Sequence, residues 1–232
     1  MRFIGITGGV GAGKSAILSY LAEKPKTKVM LADEIAHKLM EPGTACYQEI
    51  VKRFEGEDIF YGTSMPGKYP VDESCTEDGA ENCSDEAVTV LREYRPFDRM
   101  KLDQVIFGDP AKRGAMNAIV HPAVKAYVKQ EYENERQKDE LELLVLEAAL
   151  LIEEEYDEIC DELWYIYTSE ENRRNRLKES RGYSDEKIDH IFKSQLSEQE
   201  FRESTKVTID NNGDLDKTYQ QIERALRRKA DE

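Results

Sequence analysis

Short apolar runs alternate with amphipathic segments in the first part of the chain. The run RFIGIT at residues 2–7 predicts a buried strand, while SAILSYLAE at 15–23 has the i, i+3, i+4 apolar spacing of an amphipathic helix. The stretch TKVMLAD at 27–33 predicts a second strand that ends at Asp33, and the following EIAHKLMEPG predicts a helix that stops at its proline-glycine pair. Strand, helix, strand, helix is the order typical of an α/β fold.

The same alternation resumes in the second half of the chain. Residues 100–137 are predicted to be helical except at their two prolines. The most apolar run, LLVLEAALLI, lies within 140–154, where periodicity alone does not separate a strand from a buried helix. The α/β context favours a central strand through Glu147, with a helix beginning soon after. The remaining predicted elements are a strand at 162–169, helices at 170–180 and 184–203, a strand and turn at 206–213, and a closing helix at 214–230.

Residues 61–95 interrupt this alternation. They are rich in turn-forming residues, contain few large apolar side chains, and carry eight acidic against three basic residues. A segment of this composition cannot bury much apolar surface of its own. We interpret it as a loop-like insertion that could contain a short helix near 85–94, with aromatic residues near its ends, such as Phe97, available to pin it to the body.

The stretch GITGGVGAGKSAIL at 5–18 joins the first predicted strand to the first predicted helix. Gly8 is followed after four residues by Gly13-Lys14-Ser15, which satisfies the G-x-x-x-x-G-K-[ST] pattern of a phosphate-binding loop. Glycine lets backbone N–H groups approach a phosphate, and the start of a helix adds the positive end of its dipole. Lys14 can reach the β- and γ-phosphates, and Ser15 can ligate Mg²⁺. A glycine-rich turn with an incidental lysine is the alternative, and the strand-to-helix context argues against it.

A phosphate loop leaves open whether a protein is a switch, a motor or a small kinase. The N-K-x-D motif expected of a guanine-binding switch does not occur in this sequence. A small-molecule kinase needs a carboxylate near the acceptor hydroxyl and arginines that close over the transferred phosphoryl group. Asp33, at a predicted strand end, is the candidate carboxylate, and a helix N-cap is its alternative role. The candidate arginines are Arg173, Arg174, Arg176 and Arg181, for which a solvated charged helix face is the alternative.

Charge and length narrow the choice of partner. The 232 residues can hold one α/β domain with sizeable insertions, and the net charge is −15. Because nucleic acids and anionic membranes favour basic proteins, we expect neither as a partner, and we expect a small-molecule substrate. The first predicted strand follows Met1 directly and no apolar run reaches membrane-spanning length. We therefore expect a cytoplasmic protein that is a monomer or a small homo-oligomer.

The four cysteines are Cys46, Cys75, Cys83 and Cys160. They lack C-x-x-C spacing and a nearby histidine cluster, so neither a zinc site nor a redox pair is indicated. We expect free thiols.

Seven stretches of the sequence form an ordered set. They are IGITGGVGAGKS, LADEIAHKL, DRMKLDQVIF at 98–107, IVHPAV at 119–124, EAALLIE at 147–153, RLKESRGYSDEKIDHIFKSQ at 176–195 and IDNNG at 209–213. Through them the chain resembles the dephospho-coenzyme A kinase family over nearly its whole length apart from the insertion. The phosphate loop is common to many kinases, but the ordered set of stretches is specific to this family. The resemblance implies a nucleotide-binding α/β core, a mainly helical coenzyme A-binding part and a lid.

The resemblance also assigns site residues. Asp33 matches the proposed catalytic base of the family, with Lys14 and the lid residue Arg176 completing the catalytic set. Arg99 and His121 fall in the coenzyme A-binding part, although His121 could equally be a structural histidine beside a turn. Arg173 and Arg181 match the lid less closely than Arg176. The residues that match the ATP loop are Gly8, Gly11, Ala12, Gly13, Lys14, Ser15 and Ala16, with Ser15 as the Mg²⁺ ligand.

Three features depart from the family pattern. Leu31-Ala32-Asp33 stands where the family often has Asp-Ala-Asp, and Ala149-Leu150-Leu151 stands where it often has Pro-Leu-Leu. The insertion at 61–96 replaces a more compact link. None of these departures removes a catalytic group.

The sequence therefore predicts one P-loop kinase domain with a parallel sheet flanked by helices, a helical substrate-binding part and a lid. We assign 1–35, 140–170 and 205–232 to the nucleotide-binding core, 36–139 to the coenzyme A-binding part, and 171–200 to the lid. The resemblance implies a reaction that uses ATP and Mg²⁺ to phosphorylate the ribose 3′-hydroxyl of dephospho-coenzyme A. A nucleoside or nucleotide monophosphate kinase and a non-catalytic nucleotide-binding regulator are the alternatives.

Overall fold

The computed structural model describes residues 1–60 and 96–228 of the chain. The predicted helix near 85–94, and Cys75 and Cys83, lie outside these residues. The chain divides into two compact units, one formed by Met1–Asp33 together with Val128–Glu232 and the other by Glu34–Tyr127.

The first unit is built around a five-stranded sheet in which every neighbouring pair of strands is parallel. The strand order is β2-β3-β1-β4-β5. The strands are β1 (Arg2–Thr7), β2 (Thr27–Leu31), β3 (Leu143–Glu147), β4 (Glu162–Tyr167) and β5 (Val207–Asp210). This is the α/β fold with a parallel sheet that the sequence predicts.

Helices follow most of the strands. In the first part of the chain they are α1 (Lys14–Ala22), α2 (Ala32–Leu39), α3 (Ala45–Arg53), α4 (Arg99–Phe107) and α5 (Pro110–Lys138). In the second part they are α6 (Glu170–Arg181), α7 (Asp185–Lys193), α8 (Glu198–Glu203) and α9 (Leu215–Arg227), with a short 3₁₀ helix at Tyr156–Glu158. Helix α3 was not predicted from the sequence.

Both faces of the sheet are buried, as expected for parallel strands covered by helices. On one face Ile4 and Ile6 of β1 belong to a core cluster that includes Ile17 of α1 and Ile222 of α9. On the other face Phe3 stacks on Tyr132 of α5, with ring centroids 5.1 Å apart. Side chains of successive residues along β1 therefore anchor helices on opposite sides of the sheet.

The second predicted strand is shorter than the sequence suggested. Strand β2 ends at Leu31, which pairs with Glu147, and helix α2 already includes Ala32 and Asp33. The expectation that Asp33 ends the strand is therefore wrong, since Asp33 is the second residue of the helix. A carboxylate is favoured there because it faces the positive end of the helix dipole.

The helix expected soon after Glu147 is also absent from the structure. Residues 149–155 form turns instead, and their backbone hydrogen bonds do not keep the constant spacing of a helix. The N–H of Glu154 donates to Leu150 O, that of Glu155 to Ile152 O and that of Tyr156 to Leu151 O. Glu155 then adopts a φ of 52°, which ends any helical course. Leu151 and Tyr156 are buried, so this turn segment is packed into the core without forming a helix.

The observed helix boundaries differ from the predicted ones near two prolines and one serine. The interruption predicted at Pro110 lies just before it, since Asp109 caps α5 and Pro110 is the first residue of that helix. The interruption predicted at Pro122 is absent, because Pro122 lies inside α5 and does not end it. Proline removes one helical hydrogen bond, and buried Val120 and Val124 on either side hold the helix in place. The predicted helix 184–203 is instead two helices, because Ser197 and Glu200 form a capping box that starts α8.

In the second unit, residues that flank the undescribed segment 61–95 are paired with each other. Phe60 and Phe97 form an isolated antiparallel bridge, and their rings stack with centroids 5.4 Å apart. Phe97 is buried and also packs on Tyr47 of α3, with centroids 4.8 Å apart. The described residues on either side of the predicted insertion therefore meet in one aromatic cluster.

Within the described residues no helix is both long enough and apolar enough to cross a membrane. Cys46 and Cys160 are buried free thiols. Burial raises the pKa of Cys160 to about 12.

Candidate active site

The predicted phosphate loop lies between the end of β1 and the start of α1. Gly8, Gly11 and Gly13 all have positive φ, at 151°, 84° and 84°. Gly13 immediately precedes Lys14, the first residue of α1, and a Cβ on Gly13 would lie 2.5 Å from Nδ2 of Asn211. Only glycine fits this position, because both its backbone conformation and its neighbour exclude a side chain. The loop therefore has the strand-to-helix geometry that the phosphate-binding motif requires.

Lys14 lies among acceptor groups at the mouth of this loop. Its Nζ donates a hydrogen bond to the carbonyl oxygen of Gly8 at 2.8 Å and lies 3.5 Å from Oε1 of Glu147. Burial lowers the pKa of Lys14, while the charges of Glu147 and Asp33 act in the opposite direction. Burial also acts on Glu147, where it raises the pKa of the carboxyl group. Both charged groups are thus held in partly dehydrated positions, where their charges act strongly on a ligand.

The sheet register explains why Asp33 approaches this lysine. Glu147 pairs with Ile6 on one side and with Leu31 on the other, so the carboxyl ends of β1, β2 and β3 meet at one edge. Asp33 follows Leu31 by two residues, is exposed, and is close enough to act on the charge of Lys14. The structure brings Asp33, Lys14 and Glu147 together. Sequence analysis found the first two; it placed Glu147 at a strand end but gave it no role.

Three side chains hold the floor of the phosphate loop by converging on the carbonyl oxygen of Ala12. Asn211 Nδ2 donates to it at 2.8 Å, Thr168 Oγ1 at 3.0 Å and Arg176 at 3.3 Å. Arg176 also donates to the carbonyl of Asn211 at 2.7 Å. Thr168 and Asn211 are each 2% exposed and directly follow β4 and β5. Sequence analysis missed both, although polar residues immediately after parallel strands were a readable signal.

Arg173 contacts the loop at Val10 rather than at Ala12. Its Nε donates to the carbonyl oxygen of Val10 at 2.9 Å, and its guanidinium carbon lies 4.3 Å from the ring centroid of Phe192. Gln195 Oε1 accepts from the Arg173 guanidinium at 2.5 Å. Burial lowers the pKa of Arg173. Arg173 and Arg176, predicted to share a helix face, both reach the phosphate loop, and Gln195 was missed by sequence analysis.

The other two arginines of α6 do not reach the loop in this structure. Arg174 pairs with Asp185 at 2.9 Å and Asp189 at 2.5 Å, both on α7. Arg181 is exposed at the end of α6, with its guanidinium 5.9 Å from the ring centroid of Tyr183. Arg174 fits the alternative of a charged helix face, and a lid role for Arg181 stays a prediction.

Arg99 and His121 belong to the second unit. Arg99 is the exposed first residue of α4, whose start is capped by Asp98 through bonds from the Met100 and Lys101 N–H groups. His121 is half-buried within α5, beside Pro122. Their roles in binding coenzyme A stay predictions.

Ser15 and Ala16 continue the first turn of α1 after Lys14, and Ser15 is exposed. The described residues contain no cluster of three or more histidine, cysteine or acidic side chains that could hold a metal by themselves. Mg²⁺ in phosphoryl-transfer sites is usually held by one or two protein oxygens together with substrate phosphates and water. The donor set of Ser15, Asp33 and Glu147 fits such a partial site.

In this parallel sheet, β1 runs through a glycine-rich loop into a helix that begins with lysine, and carboxylates lie at the neighbouring strand ends. These features define a P-loop kinase fold. The sequence model of the dephospho-CoA kinase family matches residues 2–67 and 86–217. The chain belongs to the dephospho-CoA kinase family. The unmatched residues 68–85 fall within the predicted insertion.

Comparison with individual proteins agrees with this assignment. A dephospho-CoA kinase of Symbiobacterium thermophilum is 33% identical, covering 98% of this chain and 81% of the relative. A dephospho-CoA kinase of Shouchella clausii is 31% identical, covering 99% of both chains. Among solved structures, a Thermus thermophilus protein has a TM-score of 0.65 at 24% identity, covering 97% of this chain and 96% of its own. Dephospho-CoA kinase from Campylobacter jejuni has a TM-score of 0.63 at 16% identity, covering 98% and 96%. These two structures support the fold.

Proposed function

We propose that this protein transfers the γ-phosphoryl group of ATP to the ribose 3′-hydroxyl of dephospho-coenzyme A, giving coenzyme A and ADP, the final step of coenzyme A biosynthesis. One observation carries the proposal. Within a chain of the dephospho-CoA kinase family, Lys14 of the phosphate loop lies beside Glu147 and within the electrostatic reach of Asp33. The proximity of these three side chains at one edge of the sheet supports phosphate binding by Lys14 and proton acceptance by Asp33.

The triphosphate is held by the loop. Backbone N–H groups of the loop and of the first turn of α1 bind phosphate oxygens, and Lys14 exchanges its bond to the Gly8 carbonyl for the β- and γ-phosphates. An incoming polyphosphate raises the pKa of Lys14 against the effect of burial, so the bound form keeps the ammonium charged. The ATP-binding roles of Gly8, Gly11, Ala12, Gly13, Ser15 and Ala16 rest on their match to the motif.

Mg²⁺ completes the nucleotide site. Ser15 would ligate the ion directly, and Glu147 or Asp33 would hold its water ligands. When bound, the ion neutralises charge that develops on the transferred phosphoryl group and on the leaving ADP.

Asp33 acts on the acceptor. Its exposed carboxylate orients the 3′-hydroxyl and accepts its proton as the hydroxyl oxygen bonds to the γ-phosphorus. The bond between the γ-phosphorus and the oxygen that bridges it to the β-phosphate breaks, and the electron pair leaves with ADP. Arg176, and with it Arg173, stabilises the negative charge on the phosphoryl group.

We assign the rest of the predicted organisation to this function as well. The region 36–139, with Arg99 and His121, binds the coenzyme A moiety, and 171–200 forms the lid. The net charge of −15 supports a small-molecule substrate over a nucleic acid. We place the enzyme in the cytoplasm, where ATP and Mg²⁺ are supplied.

The proposal is tested by measuring ADP formation with a range of acceptors. ADP production should depend on dephospho-coenzyme A and should be far slower with AMP, CMP or nucleosides. A nucleoside or nucleotide monophosphate that is the better acceptor by a wide margin would refute the substrate assignment.

The role of Asp33 is tested by Asp33→Asn, with Asp216→Asn as a matched control. Both aspartates are exposed second residues of helices, so both substitutions remove a similar helix-dipole interaction. Asp33→Asn should lower kcat by roughly 100-fold while ATP affinity stays within about threefold. Asp216→Asn should leave kcat unchanged. Equal kcat values for the two variants would show that Asp33 has only a structural role.

A further inference from the structure

Gln195 lies in the linker between α7 and α8, and its side chain reaches the phosphate loop. Its Oε1 accepts a hydrogen bond from the N–H of Val10 at 3.3 Å and another from the guanidinium of Arg173 at 2.5 Å. Arg173 also donates to the carbonyl of Val10 at 2.9 Å. A loop amide, a lid arginine and the linker therefore meet at a single oxygen atom.

The hydrogen bond to Gln195 does not neutralise the positive charge of Arg173. Its guanidinium is half-buried against the ring of Phe192, and burial lowers its pKa. In the described ranges 1–60 and 96–228, no carboxylate lies within ion-pair distance of Arg173. The oxygen that it meets belongs to a neutral amide. A partly buried guanidinium gains much more from a charged oxygen acceptor than from a neutral one.

The guanidinium also lies directly on the backbone of the loop. A Cβ on Gly9 would be 2.3 Å from the guanidinium carbon of Arg173, so an alanine there could not coexist with the observed contact. The motif itself does not specify glycine at this position. Gly9 thus permits a close approach that positions Arg173 over the loop amides.

We propose that Oε1 of Gln195 occupies the position of a nucleotide phosphate oxygen, and that Gln195 is a positioning residue that competes with ATP for Arg173 and for the N–H of Val10. A backbone amide of the phosphate loop and a guanidinium that converge on one oxygen form the arrangement that a phosphate oxygen requires. ATP entering the loop displaces the amide oxygen and takes over Arg173. The inference rests on the proposed use of ATP.

This competition predicts opposite effects of two substitutions. Gln195→Ala removes the competing oxygen, so ATP should bind about fivefold more tightly, as expected when the competent fraction of the protein rises. Gln195→Glu places a carboxylate on Arg173 and a negative charge at the phosphate position, so ATP should bind at least about tenfold more weakly. The loss in Gln195→Glu should shrink as salt rises, because added ions screen the repulsion.

The experiment is calorimetric titration of the full-length protein with Mg²⁺-ATP in the absence of an acceptor. Gln199 supplies the matched controls, because it is an exposed glutamine whose Nε2 donates to Glu203 at 2.7 Å, away from the loop. Gln199→Ala and Gln199→Glu should each leave ATP affinity within about twofold. Inorganic triphosphate, titrated in parallel, should reproduce the order of affinities found with ATP, since the contested oxygen belongs to a phosphate.

A structural role for Gln195 gives a different result. In that case Gln195→Ala and Gln195→Glu would both weaken ATP, or neither would change it, and either outcome overturns the proposal. Gln195→Met, which keeps the length of the side chain without the amide, should bind ATP as tightly as Gln195→Ala and serves if the alanine variant is unstable. Because the titration contains no acceptor, it tests Gln195 independently of whether dephospho-coenzyme A is the substrate.

Discussion

Asn211 connects the phosphate loop to the end of the sheet, and Asn211→Ala should destabilise the protein by about 2–3 kcal/mol. The side chain is 2% exposed, donates to the Ala12 carbonyl at 2.8 Å and accepts from Thr218 Oγ1 at 3.1 Å. Two buried hydrogen bonds contribute about 1 kcal/mol each, and the small cavity left by the amide adds up to about 1 kcal/mol. Ala12 O and Thr218 Oγ1 keep other partners, at 3.0 Å and 3.2 Å, which limits the loss to this range.

Urea unfolding followed by far-UV circular dichroism measures this change. Asn175→Ala is the control, because Asn175 lies exposed on α6, where alanine is the better helix former by about 0.5 kcal/mol. Asn211→Ala should also weaken ATP binding, since it loosens the carbonyl that precedes Gly13. A destabilisation below about 0.5 kcal/mol, with an unchanged denaturant slope, would refute the view that Asn211 anchors the loop.

Three further predictions concern other parts of the chain. Burial raises the pKa of Glu147 above 4.5, so the native state holds this proton more tightly than the unfolded chain and loses stability as pH rises from about 4.5 through the raised pKa. The free energy of unfolding of Glu147→Gln relative to wild type should therefore increase with pH across this window, and a constant difference would contradict the burial of the carboxylate. Cys160, buried and with its pKa raised to about 12, should resist iodoacetamide at pH 8 in the native protein and react in urea, as peptide mass spectrometry would reveal. Replacing residues 64–90, which lie outside the described residues, with a short Gly/Ser linker should keep the KM for dephospho-coenzyme A within about threefold, and a collapse of kcat in a folded variant would show that the insertion helps to close the active site.

The parts of the fold that depend on local signals could be predicted from the sequence. The phosphate loop was one of them, because a run of glycines followed by lysine and serine between a strand and a helix is a continuous pattern. The strand β1 and the closing helix α9 were predicted for the same reason, since apolar periodicity is a property of adjacent residues. The S-x-x-E pattern at 197–200 was also readable, and reading it would have divided the predicted helix 184–203 correctly.

Features that depend on tertiary neighbours could not be predicted in this way. The proximity of Glu147 to Lys14 follows from the position of β3 between β1 and β2, which no local pattern specifies. Gln195 and Asn211 acquire their roles through contacts with a loop near the start of the chain. Pro122 remains inside a helix because the residues around it are buried, and burial of this kind overrides local propensity.

Identifying the product tests the central claim most directly. The protein is incubated with ATP, Mg²⁺ and dephospho-coenzyme A, and the product is analysed by mass spectrometry and by ³¹P–¹H correlation, which identifies the ribose carbon that carries the new phosphate. Wild type and Asp216→Asn should form coenzyme A phosphorylated at the 3′ oxygen, and Asp33→Asn should form it roughly 100-fold more slowly. A phosphate on another oxygen, or no transfer to dephospho-coenzyme A by a wild-type protein that binds ATP, would contradict the account.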